Sequence, residues 1–347
     1  VKAGLVATAQ ALVGAGRGLL AMDESNPTCD KRFAKVGIPQ TVEMRRAWRE
    51  LLITTPGLAI SISGAILYDE TIRQSDRHGR RFVDLMAETG IIPGIKVDTG
   101  AKPLALHPGE KITEGLDGLR NRLAEYAGMG ARFAKWRAVI GLEDGQPSKA
   151  GIRANVQALA RYAALCQEAG IVPIVEPDVL MEGRHTMERS RVVTGEVLEA
   201  LFDALDTQSV VLEGLILKAN MVLPGLECPT QETVQEVAAA TVQCLLAGVP
   251  DIVAGVAFLS GGQSALLASA RLNAINVIGV SEKAPWPLVF SFARAIQQPA
   301  LEIWRGQQEN VAAAQRALRH RAGCNHAALS EKYNAAMEDD TACQEAS

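Results

Sequence analysis

Lys218 closes an apolar run, Val210-Val-Leu-Glu-Gly-Leu-Ile-Leu-Lys218-Ala-Asn220, that reads as a buried strand. Burial disfavours the charged form of an amine, and a neutral lysine can attack a ketone to form a Schiff base without a metal. The same placement also suits a lysine that lays its stem on apolar surface and keeps its head in water. Other strand ends separate the two readings. Gly170-Ile-Val-Pro-Ile-Val-Glu176-Pro-Asp178 delivers a carboxylate after a short apolar run, and Leu19-Leu-Ala-Met-Asp23-Glu-Ser25 delivers another. In Ala131-Arg-Phe-Ala-Lys135-Trp-Arg137 the strand period of two places Lys135 and Arg137 on one face and Trp136 on the other. Two lysines and two carboxylates gathered at strand ends would be a costly filler, because unpaired buried charge is heavily penalised.

A second chemistry is written beside the first. Val256-Ala-Phe-Leu-Ser260-Gly261-Gly262-Gln-Ser264 runs from an apolar strand through a glycine turn into a helix. Free backbone N–H groups at such a turn, with a helix N-terminus behind them, can hold a phosphate dianion. A lone Gly-Gly is equally an ordinary tight turn. Ser291 and Arg294, after the last predicted strand, fall next to that loop if the sheet closes on itself.

The elements that must carry these residues repeat at a step of roughly forty residues, from Asp23 to Ser63 and from Lys96 through Lys135, Glu176 and Lys218 to Ser260, the length of one βα unit. Strands are predicted over 18–22, 60–67, 91–97, 132–137, 171–176, 214–218, 255–259 and 287–292. Between them, Ser148 caps a helix with Ile152, Val156, Leu159, Ala163 and Cys166 at helical spacing before Gly170 stops it. Thr41 opens another, through Met44, Ala47, Trp48, Leu51 and Leu52. Thr230 is read as the start of a third, with Val234, Val237, Thr241 and Leu245 on its apolar face. Apolar strands alternating with amphipathic helices mean a parallel sheet covered by helices, and eight units mean an α/β protein of the (β/α)₈ TIM-barrel type. Residues 1–335 form the expected single domain with its C-terminal helices. The polar, acidic end of the chain, 336–347, is expected to be a mobile tail.

Composition bounds the function. With 347 residues, 48% hydrophobic, the chain can bury a large core. A net charge of −4 without a basic stripe argues against nucleic acid as a partner, and no apolar stretch is long enough to span a membrane. Cys29, Cys166, Cys228, Cys244, Cys324 and Cys343 form no CxxC pair and read as reduced thiols of an intracellular or stromal protein. The histidines show neither HxH nor HExxH, so no catalytic metal is expected. The chain opens on Val1 without a basic-apolar presequence, so a targeting peptide is expected to be absent or removed. Cys29 stands out because Lys31 and Arg32 follow it closely. Nearby cations lower a thiol's pKa, and the expectation is a redox-sensitive thiol open to mixed-disulfide modification.

Taken together, the segments resemble the class I fructose-1,6-bisphosphate aldolases. The resemblance rests on Leu20-Ala-Met-Asp23-Glu-Ser-Asn, Ile62-Ser-Gly-Ala-Ile-Leu, Pro93-Gly-Ile-Lys96-Val-Asp, Arg132-Phe-Ala-Lys135-Trp-Arg137, Val172-Pro-Ile-Val-Glu176-Pro, Ile216-Leu-Lys218-Ala-Asn220, Phe258-Leu-Ser-Gly-Gly-Gln-Ser264 and Pro287-Leu-Val-Phe-Ser-Phe-Ala-Arg294, in order along the chain. The form Met22-Asp-Glu-Ser-Asn-Pro-Thr-Cys29 looks like plastid and other photosynthetic-lineage members. The implied activity is reversible cleavage of fructose 1,6-bisphosphate, and of sedoheptulose 1,7-bisphosphate as an open alternative, in glycolysis, gluconeogenesis or the Calvin cycle.

The resemblance implies Lys218 as the Schiff-base lysine, Glu176 as the acid/base, Asp23 as a proton holder at the same carbon, and Lys135 as the cation that keeps the carboxylates ionised. It places the C1 phosphate at Ser260, Gly261, Gly262, Ser291 and Arg294. The C6 phosphate falls near Ser25, Thr28, Lys31, Arg32 and Lys96, with Arg137 and Arg45 as further substrate contacts. It implies no cofactor, phosphorylated sugars as the partners, a homotetramer, and the plastid stroma, with the cytoplasm as the alternative.

Three departures from the family pattern stand out. Thr99 replaces a lysine common after Val-Asp, Ala219 replaces a proline after the Schiff-base lysine, and the last tyrosine is Tyr333 rather than one on the C-terminal tail. The rivals are another Schiff-base aldolase or transaldolase, a metal-dependent aldolase, and a barrel retired to a scaffold role.

Overall fold

In a computed structural model, residues 2–143 and 145–339 are described. Eight strands close into a parallel barrel in the order β1-β8-β7-β6-β5-β4-β3-β2. They are β1 (Gly18–Ala21), β2 (Ile62–Leu67), β3 (Ile92–Lys96), β4 (Phe133–Ile140), β5 (Val172–Val179), β6 (Ile216–Ala219), β7 (Gly255–Phe258) and β8 (Leu288–Phe292). All eight fall where the sequence places them. β4 and β5 run further than predicted, paired without interruption from Phe133 and Val172 to Ile140 and Val179, so Lys135 and Glu176 sit within strands and not at their ends.

The intervening helices follow their sequence signals. Ser148 and Thr41 cap the helices Lys149–Glu168 and Val42–Ile53, accepting from the amides of Gly151 and Met44. The helix expected from Thr230 starts later, at Val234. Its cap is Thr233, which forms a reciprocal capping box with Glu236. Thr230 has no glutamate three residues on, and the box decides which threonine starts the helix. Two features escape the sequence pattern: an antiparallel hairpin of Gly100–Pro103 and Lys111–Glu114 over the mouth side of β3, and an N-terminal helix, Lys2–Val13.

That first helix closes the floor of the barrel. Leu5, Ala9, Leu12 and Val13 are buried on it and pack with the inward side chains Leu19, Ile66, Phe133, Val172, Ile174, Ile216, Ala257 and Val289. Glycines make room for this plug: a Cβ on Gly255 would meet Val13, and one on Gly64 would meet Leu12. The larger core lies outside the strands, between sheet and helices. Trp136 faces that layer, its ring 5.5 Å from Tyr162 on the helix Lys149–Glu168. Its neighbours Lys135 and Arg137 therefore face the barrel interior. Among the described residues no helix is long and apolar enough to cross a membrane.

The Ala335–Glu338 segment, the first part of the expected tail, is a 3₁₀ turn. Glu338 is held there by Arg321 and by the Tyr333 hydroxyl, which donates at 2.7 Å. Residues 340–347 lie outside the described residues.

The floor depends on close packing around Gly94, where a Cβ would stand 2.2 Å from the Phe133 ring. Overpacking a closed interior typically costs about 1–3 kcal/mol. Gly94→Ala should lower the midpoint of thermal or urea unfolding accordingly. An unchanged midpoint would mean that the ring yields without strain.

Candidate active site

The residues singled out in the sequence converge at the C-terminal end of the barrel. Lys218 comes from β6, Glu176 and Asp178 from β5, Lys135 and Arg137 from β4, Lys96 from β3, Asp23 from the exit of β1, and Ser291 from β8. Parallel strands present their C-terminal ends on one side, so residues spread over about 270 positions meet in one mouth.

Lys135 sits at the centre. Its Nζ lies 2.7 Å from Asp23 Oδ2 and 3.5 Å from Glu176 Oε2, and Lys218 Nζ lies 3.4 Å from Glu176 Oε1. All four side chains are buried. Burial alone would raise the Asp23 carboxyl, but Lys135, Lys218 and the hydrogen bond from Lys135 more than offset it and hold it down to about 2. Burial works against the Lys135 ammonium, yet Asp23, Glu176 and Asp98 keep its pKa above the usual lysine range. Lys135 is thus a fixed cation. Glu176 Oε2 is buried without a hydrogen-bond partner, so this oxygen is available to a reacting group.

Two further carboxylates complete the site, and both precede or follow a predicted residue by two positions. Asp178 pairs with Arg137 at 2.6 Å, and Asp98 pairs with Lys96. Burial raises the Asp178 carboxyl despite the pair with Arg137, and Glu176 adds to the rise. Burial likewise lowers the Lys96 pKa, against Asp98 and with the help of Lys135. The period of two along Glu176-Pro-Asp178 was the signal that could have named Asp178, since it shares the inward face with Glu176. Lys96, Lys135, Arg137 and Lys218 thus lie among Asp23, Asp98, Glu176 and Asp178.

The mouth has three lobes. A cavity of about 200 Å³ is bounded by Lys218, Glu176, Arg137, Ser260–Gly262, Ser291 and Arg294. The Ser291 hydroxyl is buried there without a partner. Gly261 and Gly262 have φ of +58° and +86°, and a Cβ on Gly262 would stand 3.0 Å from Arg294 Nη2. Glycine is what lets this turn form and the guanidinium approach it. A second cavity of about 360 Å³ holds Asp23, Ser25, Thr28, Lys96, Thr99 and Arg137. The third, about 630 Å³, is bordered by Thr28, Lys31, Arg32, Gly262 and Arg294. Both ends of the mouth therefore present cations and hydroxyls suited to anions, with the amines between them.

This arrangement redraws the expected grouping. Lys31 and Arg32 share a wall with Gly262 and Arg294, and not with Ser25 and Lys96; Thr28 borders both lobes. Arg45 stands apart from all three. It is buried on the helix Val42–Ile53, with Nε and Nη2 donating to Glu70 at 2.8 and 2.9 Å and Nη1 to Asp30 at 2.9 Å. Each of its guanidinium nitrogens is engaged, so it clamps two elements and borders none of the three lobes. Tyr333 lines a separate apolar cavity against the helix Ala265–Ser281 and borders none of the lobes. His320, Cys324 and Glu338, the last bonded to the Tyr333 hydroxyl, gather with their possible ligand atoms within 4.8 Å, a grouping the histidine and cysteine motifs did not anticipate. The i, i+4 helical spacing of the first two was the available signal. Glu338 is already committed to Arg321 and Tyr333.

The expectation for Cys29 is overturned. Its thiol is buried in the helix Asn26–Lys35, and burial pushes its pKa up to about 11, beyond what Arg49 and Arg32 take back. Arg32, the nearby cation, is engaged by Glu24 at 2.6 Å. Sequence proximity to cations did not translate into exposure to them. In the folded protein Cys29 should resist oxidised glutathione or Ellman's reagent at neutral pH, and should react on unfolding. Peptide mapping that finds Cys29 modified at the rate of a free thiol would contradict this.

The chain matches the family model described as fructose-bisphosphate aldolase class-I over residues 4–347. It is 56% identical over 330 residues to a probable fructose-bisphosphate aldolase class 1 of Xylella fastidiosa, covering 95% of this chain and 98% of that protein. It is 48% identical over 340 residues to the chloroplastic fructose-bisphosphate aldolase 1 of Chlamydomonas reinhardtii, covering 98% and 89%. A solved fructose-bisphosphate aldolase of Plasmodium falciparum, in complex with TRAP and a small-molecule inhibitor, superposes with a TM-score of 0.94 at 46% identity, covering 96% of this chain and 95% of that one. An eight-stranded parallel barrel with an amine–carboxylate cluster at its mouth, matched along nearly its whole length, belongs to the class I fructose-bisphosphate aldolases.

Proposed function

We propose that Lys218 carries the covalent step of the aldol cleavage, with Glu176 as its proton partner. The observation that supports this is the buried Lys218 amine 3.4 Å from Glu176, in the cavity that also holds Ser260–Gly262 and Arg294. The amine adds to the C2 ketone of the open-chain sugar, forming an N–C bond. Glu176 donates a proton to the departing hydroxyl, and water leaves an iminium. Glu176 then accepts the C4 hydroxyl proton as the C3–C4 bond breaks. The bond's electron pair flows into the iminium to give an enamine, and glyceraldehyde 3-phosphate departs. Protonation at C3 and hydrolysis return dihydroxyacetone phosphate and the free lysine. Asp23, held ionised by Lys135, is placed to hold and relay protons at the same carbon.

Ser260–Gly262, Ser291 and Arg294 are assigned to the C1 phosphate, and Ser25, Thr28, Lys96 and Arg137 to the C6 phosphate. Lys31 and Arg32 are reassigned by their position to the C1 side. The reaction needs no cofactor on this reading. Thr99 in place of a lysine leaves the C6 lobe with less positive charge, which favours tolerance toward a longer bisphosphate such as sedoheptulose 1,7-bisphosphate. Bacterial relatives at 54–56% identity stand above chloroplastic ones at 46–48%. That order supports a bacterial-type enzyme of the cytoplasm over the plastid stroma that the Met22–Cys29 segment suggested. Exposed Leu266, Val277 and Val280 on the helix Ala265–Ser281 offer apolar surface compatible with a homotetramer.

Borohydride reduction with dihydroxyacetone phosphate should trap the adduct on the peptide that carries Lys218. A label on Lys135 or Lys96 would refute the assignment. Activity should survive EDTA, and loss on chelation would bring back a metal-dependent route.

Arg294→Ala should raise KM for fructose 1,6-bisphosphate roughly ten- to a hundredfold, since a hydrogen bond to a charged group is worth about 1.5–3 kcal/mol. Fructose 1-phosphate cleavage should suffer alongside it, because both substrates carry the C1 phosphate. An unchanged KM for both would place that phosphate elsewhere.

A further inference from the structure

Directly after Asp23, the Glu24 carboxylate is held by three side chains, yet the reaction as drawn does not use it. Its Oε1 accepts from Arg32 Nη1 at 2.6 Å and from Gln297 Nε2 at 3.0 Å, and its Oε2 accepts from Arg49 Nη1 at 2.7 Å. Arg49 Nη2 also donates to the Glu24 carbonyl at 3.1 Å, and Gln297 Nε2 donates to the Ala21 carbonyl at 2.6 Å. The backbone is thus gripped at both ends of Ala21-Met-Asp23-Glu24. Arg49 is only 2% exposed, and Gln297 only 1%.

The grip comes from three helices, Asn26–Lys35, Val42–Ile53 and Arg294–Trp304. An aromatic cluster beneath locks them together. Trp48 stacks on Trp304 with centroids 5.3 Å apart, and Phe33 meets Trp304 edge-on at 6.0 Å. A buried arginine–carboxylate group is poor value as glue, because apolar packing of equal volume usually stabilises as well. What it supplies is direction: a planar fork fixes both the carboxylate and a backbone carbonyl at once. The residue whose position this determines is Asp23, the neighbour of Glu24, whose carboxylate must meet Lys135 at 2.7 Å.

We propose that Arg49 and Glu24 are positioning residues that hold Asp23 against Lys135, and so act on the proton-handling steps without touching substrate. The proposal rests on the assigned role of Asp23. A misplacement of about 1 Å in such a group can cost up to a hundredfold in rate. Lys218 and Glu176 lie on other strands and do not depend on this grip. Arg294 begins the helix that carries Gln297, so the same clamp joins the C1-phosphate lobe to Asp23.

The test uses Arg49→Met, Arg49→Lys and Glu24→Gln in the full-length protein, with Arg46→Met as the control. Arg46 lies on the same helix, pairs with its helix neighbours Glu43 and Glu50, and donates to the Ser75 carbonyl. Arg49→Met should lower kcat at least about tenfold with KM changed less than about threefold, and Glu24→Gln should lower kcat alike while KM also moves, because it loosens Arg32 on the C1 side. Arg49→Lys, which can reach one acceptor of the two, should fall between parent and Arg49→Met. The acid limb of the kcat–pH profile should move to higher pH in Arg49→Met. Burial raises the Glu24 carboxyl, Arg32 and Arg49 together bring it below its ordinary value, and one of these two is lost.

Trapping of dihydroxyacetone phosphate by borohydride at Lys218, at saturation, should stay within about twofold of the parent. Parent protein that fails to trap at Lys218 would instead overturn the assignment of the covalent lysine, which keeps the two failures apart. Folded variants with kcat within about twofold of the parent, or with kcat and trapping falling together, would overturn the positioning role. If Arg49→Met does not fold, Glu24→Gln decides by kcat and trapping, because it keeps the side-chain shape while losing the charge and one acceptor oxygen.

Discussion

Everything at the barrel mouth depends on one buried cation. Lys135 projects from β4 between Asp23 on β1 and Glu176 on β5, and it is the reason the Asp23 carboxylate can sit dehydrated and ionised within reach of Lys218. Remove that charge and burial would push a proton onto Asp23. The barrel makes the arrangement possible by setting buried charges beside others of opposite sign, along one strand exit or across the mouth. Asp98 answers Lys96, Asp178 answers Arg137, and each pair lies on the same inward face set by the strand period.

Holding such a cluster requires a rigid frame, and two apolar layers provide it. Inside the barrel, the N-terminal helix packs against inward side chains from most strands and closes the floor. Outside, aromatic contacts such as Trp136 with Tyr162 and Trp48 with Trp304 lock strands to helices and helices to one another. The polar mouth sits above the first layer and is braced by the second. Glu24, Arg49 and Gln297 show the two meeting, since charged side chains from packed helices reach in to hold the backbone that carries Asp23.

Substrate recognition uses a different economy. The lobe around Gly262 lies at the rim, where Arg294 is exposed to water. An anion arriving there gains charge-assisted hydrogen bonds without the full desolvation penalty of the buried centre. The unpaired Ser291 hydroxyl and the positive φ of Gly261 and Gly262 fit that role.

The sequence by itself determined the architecture and the residues that meet at the barrel mouth. Strands leave short apolar runs, helices leave capped stripes, and a polar residue recurring at the end of each βα unit marks the catalytic face of a parallel barrel. Lys218, Glu176, Lys135 and Asp23 were legible because each breaks an apolar run where breaking it is costly. Only the tertiary structure decided which cations face which cavity. Lys31 and Arg32 turned out to sit with Arg294, Arg45 to be spent on Glu70 and Asp30, and Cys29 to be buried beyond the help of its neighbours. Glu24 and Arg49 were likewise invisible as a pair, 25 positions apart on different elements. Local spacing records which face of an element a side chain occupies. What that side chain meets, and how much water reaches it, depends on elements distant in the chain that only folding brings alongside.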